Sequence, residues 1–120
     1  MLFNRHSFAA AALLATCLIS GCAYETGVQR YSESRSKFNT PPVLNSHTLP
    51  DKDIYRLFQQ GATGFVPISS IRENLEDRAE KYCTRQGKGM LLLGEASSKP
   101  PYILGNFPRV EIVFATVEKK

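Results

Sequence analysis

The sequence predicts an α+β fold: a small two-layer β-α-β-β domain over residues 51–120, one helix packed on a three-stranded sheet, after a disordered tether. Three observations carry that expectation. Ile71, Leu75, Ala79, Tyr82 and Cys83 recur at spacings of three and four, the period of an amphipathic helix. Apolar or β-branched runs of strand length begin at Ile54, Met90 and Arg109, and Gly and Pro separate them from their surroundings. Residues 23–50, by contrast, are rich in Ser, Asn and Pro, with sparse apolar residues of no steady period.

The chain opens on a leader. Arg5 and His6 form a basic start, and Phe8 to Ile19 is uncharged and largely apolar. That stretch is shorter than the ~20 apolar residues a membrane-spanning helix needs. Ser20 and Gly21 are small, as the subsites of a signal peptidase require, and Cys22 follows at once. Residues 1–21 are therefore read as a signal peptide.

Ser32, Ser34, Ser36, Asn39, Thr40, Pro41, Pro42, Asn45, Ser46 and Pro50 dominate the segment that follows. Such a composition buries too little apolar surface to offset the entropy of ordering it, so residues 22–50 read as a flexible tether. Extended, it would reach roughly 90 Å, and as a coil about 30 Å. Val43-Leu44 is the apolar pair in it able to dock on the domain.

The folded unit is expected from Asp51. Ile54–Gln59 has strand composition, and Gly61-Ala62-Thr63-Gly64 breaks it; this glycine-rich stretch lacks the lysine of a phosphate loop and reads as a turn. Phe65-Val66-Pro67-Ile68 leads into a helix expected over 70–86, with Ser70 and Glu73 spaced as a capping box and Ser69 as the other possible cap. Asp77 and Lys81 form a favourable i,i+4 pair, and Gly87-Lys88-Gly89 stops the helix. Met90-Leu91-Leu92-Leu93 fits a short buried strand. Residues 95–108 read as a loop broken by Pro100-Pro101, Gly105-Asn106 and Pro108, with Tyr102-Ile103-Leu104 as a brief extended piece. Arg109–Val117 is the clearest strand: Val110, Ile112 and Phe114 make one wholly apolar face, and Glu111, Val113 and Ala115 a second, mostly apolar one. The strands at Ile54 and Met90 would flank a right-handed crossover if parallel, and those at Met90 and Arg109 are expected to pair antiparallel.

Composition bounds the chemistry. Without Arg5 the remaining chain has 14 Lys+Arg against 11 Asp+Glu, a net +3, too small and dispersed to indicate nucleic acid. Of the three cysteines, Cys17 falls in the leader and Cys22 at its end. Cys83 is then alone in the domain, so no intramolecular disulfide is expected. Its place on the apolar helix face reads as a buried small hydrophobe, against the alternative of a redox-active thiol. His47 is the one histidine after the leader and lies in the tether, which argues against a Cys/His nucleophile pair. No residue cluster has metal-ligand spacing, and no cofactor motif is present. Glu73, Glu76, Asp77 and Glu80 read as a solvated helix face. The loop from Pro100 to Arg109 combines rigid prolines with Tyr102, Phe107 and Arg109, residue types common as interface anchors, and these three are the candidate interaction residues.

Leu18-Ile19-Ser20-Gly21-Cys22 resembles the lipobox of bacterial lipoproteins. The resemblance implies diacylglycerol in thioether linkage to Cys22, cleavage before it and acylation of the new amine. Several acyl chains on one residue make dissociation from a membrane negligible, since each buried methylene contributes about 0.8 kcal/mol. Ala23 stands where Asp would retain such a lipoprotein in the inner membrane, which implies the outer membrane. The whole layout is similar to the short outer-membrane lipoproteins of proteobacteria, among them the sensor lipoprotein of the Rcs envelope-stress pathway, whose disulfides this chain lacks. Anchor, tether and the absence of a catalytic set together lead to the expectation of a membrane-anchored, periplasm-facing, non-enzymatic module that binds an envelope protein or polymer; the alternative is an envelope enzyme or small-ligand binder with a pocket near Tyr102, Phe107 and Arg109.

The Cys22→Ser protein is expected to keep its leader and to leave the membrane fraction, as judged by intact mass and envelope fractionation; normal maturation of that variant would contradict the lipobox.

Overall fold

The computed structural model describes residues 24–119; the leader, Cys17 and Cys22 lie outside the described residues. In chain order the elements are β1 (Tyr24–Glu25), β2 (Gln29–Arg30), β3 (Ile54–Gln60), α1 (Ile68–Thr84), β4 (Gly89–Ser97) and β5 (Arg109–Val117), with single 3-10 turns at Tyr31–Glu33 and Asp51–Asp53. One helix packs on one five-stranded antiparallel sheet.

The last strand is the central one. β5 pairs antiparallel with β3, Leu57 opposite Ile112, and with β4, Leu92 opposite Phe114. β3 and β4 therefore run in the same direction with β5 between them, and they do not pair directly as parallel neighbours. The antiparallel pairing of β4 with β5 agrees with the sequence reading. The strand count does not: β1 and β2 add to the outer edge of β3, Tyr24 opposite Gln60 and Arg30 opposite Tyr55, making five strands rather than three.

α1 covers one face through the stripe read from the sequence. Ile71, Leu75, Ala79 and Cys83 pack against Leu57, Val110, Ile112 and Phe114, with Tyr55 and Tyr82 at the margin. The helix begins at Ile68, two residues before the expected start, and the capping box does not form. Pro67 instead precedes the first turn at φ −66°, its carbonyl accepting from the Ser70 and Ile71 amides. Val66 and Ile68 pack against the core and place that turn, so side-chain capping is not required to locate it. At the other end Lys88 N–H donates to Cys83 O and Gly87 N–H to Thr84 O, the two bonds of a Schellman closure. Gly87 sits at φ 68°, where a Cβ would be strained. Lys81 and Asp77 form the expected ion pair at 2.9 Å.

The opposite face corrects the tether. Ile54, Leu93, Val113 and Ala115 form a second apolar cluster there, and Tyr31, Leu44 and Leu49 pack onto it. Residues 24–50 thus lie against the sheet and are not a free leash. Of the apolar pair, Leu44 docks while Val43 is exposed. The physical reason is that β5 is apolar on both sides, and one helix covers only one of them.

Glu111 sits within that second face with no solvent exposure. Its Oε2 accepts from Arg56 Nη1 at 3.0 Å and from Ser36 Oγ at 2.6 Å, and its Oε1 accepts from the Lys37 amide at 2.8 Å. Arg56 also donates to Ser34 Oγ at 3.1 Å and lies over the Tyr31 ring at 4.8 Å. A buried carboxylate needs this many partners, because desolvation of an unpaired charge costs several kcal/mol. Two of the three groups bonded to Glu111 come from residues 36–37, so the charge ties the N-terminal segment to the centre of the sheet.

β4 also departs from expectation. It runs to Ser97, past the apolar run, and forms an edge of the strand pairing, with Leu91 exposed. An irregularity between Leu92 and Gly94 frees the Leu93 carbonyl, which accepts from the Asn45 amide at 2.8 Å. Central position, not apolar composition, decides which strand is buried on both faces.

Glu111→Ala is expected to cost about 3–5 kcal/mol, because it strands Arg56 in the interior. The same change should open the segment around Arg35 and Lys37 to trypsin before global unfolding. Urea denaturation and limited proteolysis check both.

Candidate functional site

Two loops meet at one end of the sheet. The turn of residues 61–67 follows β3, and residues 98–108 join β4 to β5. Gly61 N–H donates to Pro108 O at 2.9 Å. Gly64 lies so close to the second loop that a Cβ built there would be 2.5 Å from Tyr102 O. The two sequence-marked loops are therefore one structural unit.

The candidate interaction residues are only partly brought together. Arg109 Nε donates to Phe107 O at 3.3 Å, and its guanidinium lies over the Phe38 ring at 5.4 Å. Tyr102 is half-buried; its hydroxyl donates to Ser98 O at 3.0 Å and its backbone faces Gly64. Tyr102 and Phe107 thus help to hold the loop: Phe107 O accepts from Ser98 Oγ, which in turn accepts from the Arg109 amide at 2.8 Å. Tyr102-Ile103-Leu104 is not a strand. The Asn106 amide returns to Ile103 O at 3.0 Å, closing a tight turn with Leu104 at φ 52° and Gly105 at φ 87°. Positive φ at both central positions is the pattern of a type I′ turn, which favours Asn, Asp or Gly. A left-handed conformation costs roughly 1–2 kcal/mol for a residue with a Cβ, and Leu104 has almost its whole surface in solvent.

Beside this loop an open cleft of about 770 Å³ runs between the N-terminal segment and the end of β4. Lys37, Lys99 and Arg109 line it against a single carboxylate, Glu95, with Asn39 and Ser97 adding neutral polar groups. Glu95 is itself engaged by Arg72 at 2.6 Å, and its partnership holds the Arg72 guanidinium protonated more firmly than usual. The cleft takes in Arg109 but neither Tyr102 nor Phe107. Sequence reasoning passed over Lys37 and Asn39 because they stood in the supposed tether. The signal that could have found them was Glu111, a carboxylate inside an otherwise apolar strand and therefore in need of partners from elsewhere in the chain.

Cys83 is fully buried in the core under α1, while His47 lies in the segment on the other face, its Nδ1 accepting from the Leu49 amide at 3.2 Å. The two do not form a nucleophile pair. Burial, aided by the Glu80 carboxylate, pushes the Cys83 thiol above its ordinary range. Among the described residues no group of His, Cys, Asp and Glu is arranged to hold a metal ion, and no helix is long and apolar enough to cross a membrane.

Comparison of the chain with family models, with curated proteins and with solved structures finds no match. The functional reading therefore rests on the residues themselves.

Thiol reagents at pH 8 are expected to modify Cys83 only at the rate of domain unfolding, accelerating in sub-denaturing urea; prompt labelling would contradict its burial. The folded state holds this proton more tightly than the unfolded chain. Its stabilising contribution is therefore complete below the unfolded thiol's pKa and is lost as pH rises towards the folded value, so Cys83→Ala should flatten the alkaline decline in stability.

Proposed function

We propose that the protein is a lipoprotein held in an outer membrane by acyl chains on Cys22, whose domain is a non-enzymatic interaction module for an envelope protein or polymer. The cleft of Lys37, Lys99 and Arg109 is the observation that carries the binding part of this reading. Three cations facing one already paired carboxylate favour an anionic partner. Its open form along the domain suits an extended segment better than an enclosed substrate. Nearby Phe38 supplies an aromatic surface beneath Arg109.

A second reading has specific support. The cleft volume lies within the range of about 300–1,000 Å³ usual for small-molecule sites. A small anionic ligand, or an envelope enzyme acting on one, would use the same cations. Saturable binding of a small anion by the soluble domain, unaffected by envelope components, would favour it.

Photocrosslinkers at Asn39 and Lys99 of the membrane-anchored protein are expected to give one discrete envelope adduct that a crosslinker at Gln86 does not give. Lys37→Glu combined with a crosslinker at Asn39 should reduce that adduct about tenfold. Absence of any cleft-specific adduct would overturn the proposal.

A further inference from the structure

We infer that the end of the sheet bearing the 61–67 and 98–108 loops is a membrane-contact surface, seated on the same bilayer that the acyl chains of Cys22 enter. This rests on the lipid-anchor reading and goes beyond it by fixing which way the domain faces.

Chain geometry comes first. Tyr24 is opposite Gln60, and Gln60 is opposite Arg109, so the first described strand begins at the loop-bearing end. Cys22 precedes Tyr24 by two residues and can be no more than about 7 Å from it. From Tyr24 onward the segment has no slack. Thr26 N–H donates to Phe58 O at 3.0 Å, Phe58 N–H returns to Thr26 Oγ1 at 3.1 Å, and Arg78 from α1 bonds Thr26 O. Tyr24 packs on the Phe58 ring at 5.7 Å. A lipid on Cys22 therefore brings this end, and not the end holding residues 85–88, to the headgroups.

The surface found there suits that position. Four of the six large apolar side chains exposed among the described residues, Tyr24, Phe65, Ile103 and Leu104, belong to this end. Phe65 is 95% exposed and Leu104 99% exposed, each at the tip of its loop. Neither contributes to the core, and Leu104 occupies a turn position that backbone preference assigns to Gly or Asn. Folding does not account for a leucine at that site. A lipid interface does: apolar tips enter the acyl boundary, and Tyr24 lies where an amphipathic ring favours the headgroup level. Anchor and tips act on one surface, so each raises the effective concentration of the other.

The chain contains no Trp, so single-tryptophan variants report position directly. Phe65→Trp, Leu104→Trp and, at the far end, Gln86→Trp are placed in the mature acylated protein, reconstituted in phosphatidylethanolamine/phosphatidylglycerol vesicles with or without acyl-chain-brominated lipid. Emission from Phe65→Trp and Leu104→Trp should blue-shift and fall at least twofold with brominated lipid, while Gln86→Trp is unchanged. Mass spectrometry of the same samples reads the acyl groups. Acylated protein whose tip tryptophans stay unquenched overturns the orientation and leaves the anchor standing. Protein without acyl mass on Cys22 overturns the anchor and the orientation with it. Equal quenching at Gln86 would also overturn the orientation.

Discussion

A strand that is apolar on both faces must be covered twice, and in this domain that requirement falls on β5. Its residues Val110, Ile112 and Phe114 lie under α1, and Val113 and Ala115 lie under the N-terminal segment. β3 and β4 each pair with β5 and not with one another. The helix, the flanking strands and the N-terminal wrap therefore share this strand as their common partner. The buried Glu111 sharpens the dependence, because a carboxylate without solvent is tolerable only while Arg56, Ser36 and Lys37 all meet it. That pairing selects one path for residues 34–38 across the sheet, and with it the shape of the cleft beside Arg109.

Where local pattern and tertiary demand agreed, the sequence was legible. Arg109–Val117 is a β-rich run with one wholly apolar and one mostly apolar face, and it is β5 to the residue. The stripe of Ile71, Leu75, Ala79 and Cys83 is the buried face of α1 because its period matches the helix and nothing else competes for it. Gly87 stops the helix for the backbone reason that its position suggests. The start of α1 was misplaced because Ser70 and Glu73 had the spacing of a cap, while docking of Val66 and Ile68 decided the turn. Residues 24–50 were misread for a deeper reason. Their contribution comes from isolated side chains, Tyr31, Leu44 and Leu49, at no regular spacing, and from main-chain amides given to Glu111 and Leu93. Periodicity cannot register such a contribution. The trace it did leave was on the other partner, in the apolar second face of β5.

The candidate site divides in the same way. Arg109 lines the cleft, whereas Tyr102 and Phe107 serve chiefly to brace the loop on which it stands. The loop's exposed chemistry is instead at Ile103 and Leu104, which looked like an ordinary extended piece because a left-handed leucine leaves no mark in composition. Lys37 and Asn39 became site residues only once the N-terminal segment was seen to lie on the sheet.

The order of the strands bears on when the chain can fold. The middle strand is also the last of the described elements to be synthesised. Until residues 109–117 have emerged, β3 and β4 lack their shared neighbour and α1 lacks the Ile112 and Phe114 side chains it packs on. A chain made from its amino terminus would therefore stay pliable through nearly its whole length and acquire its native form only once that strand is available. An architecture with its centre at the rear delays folding through topology alone.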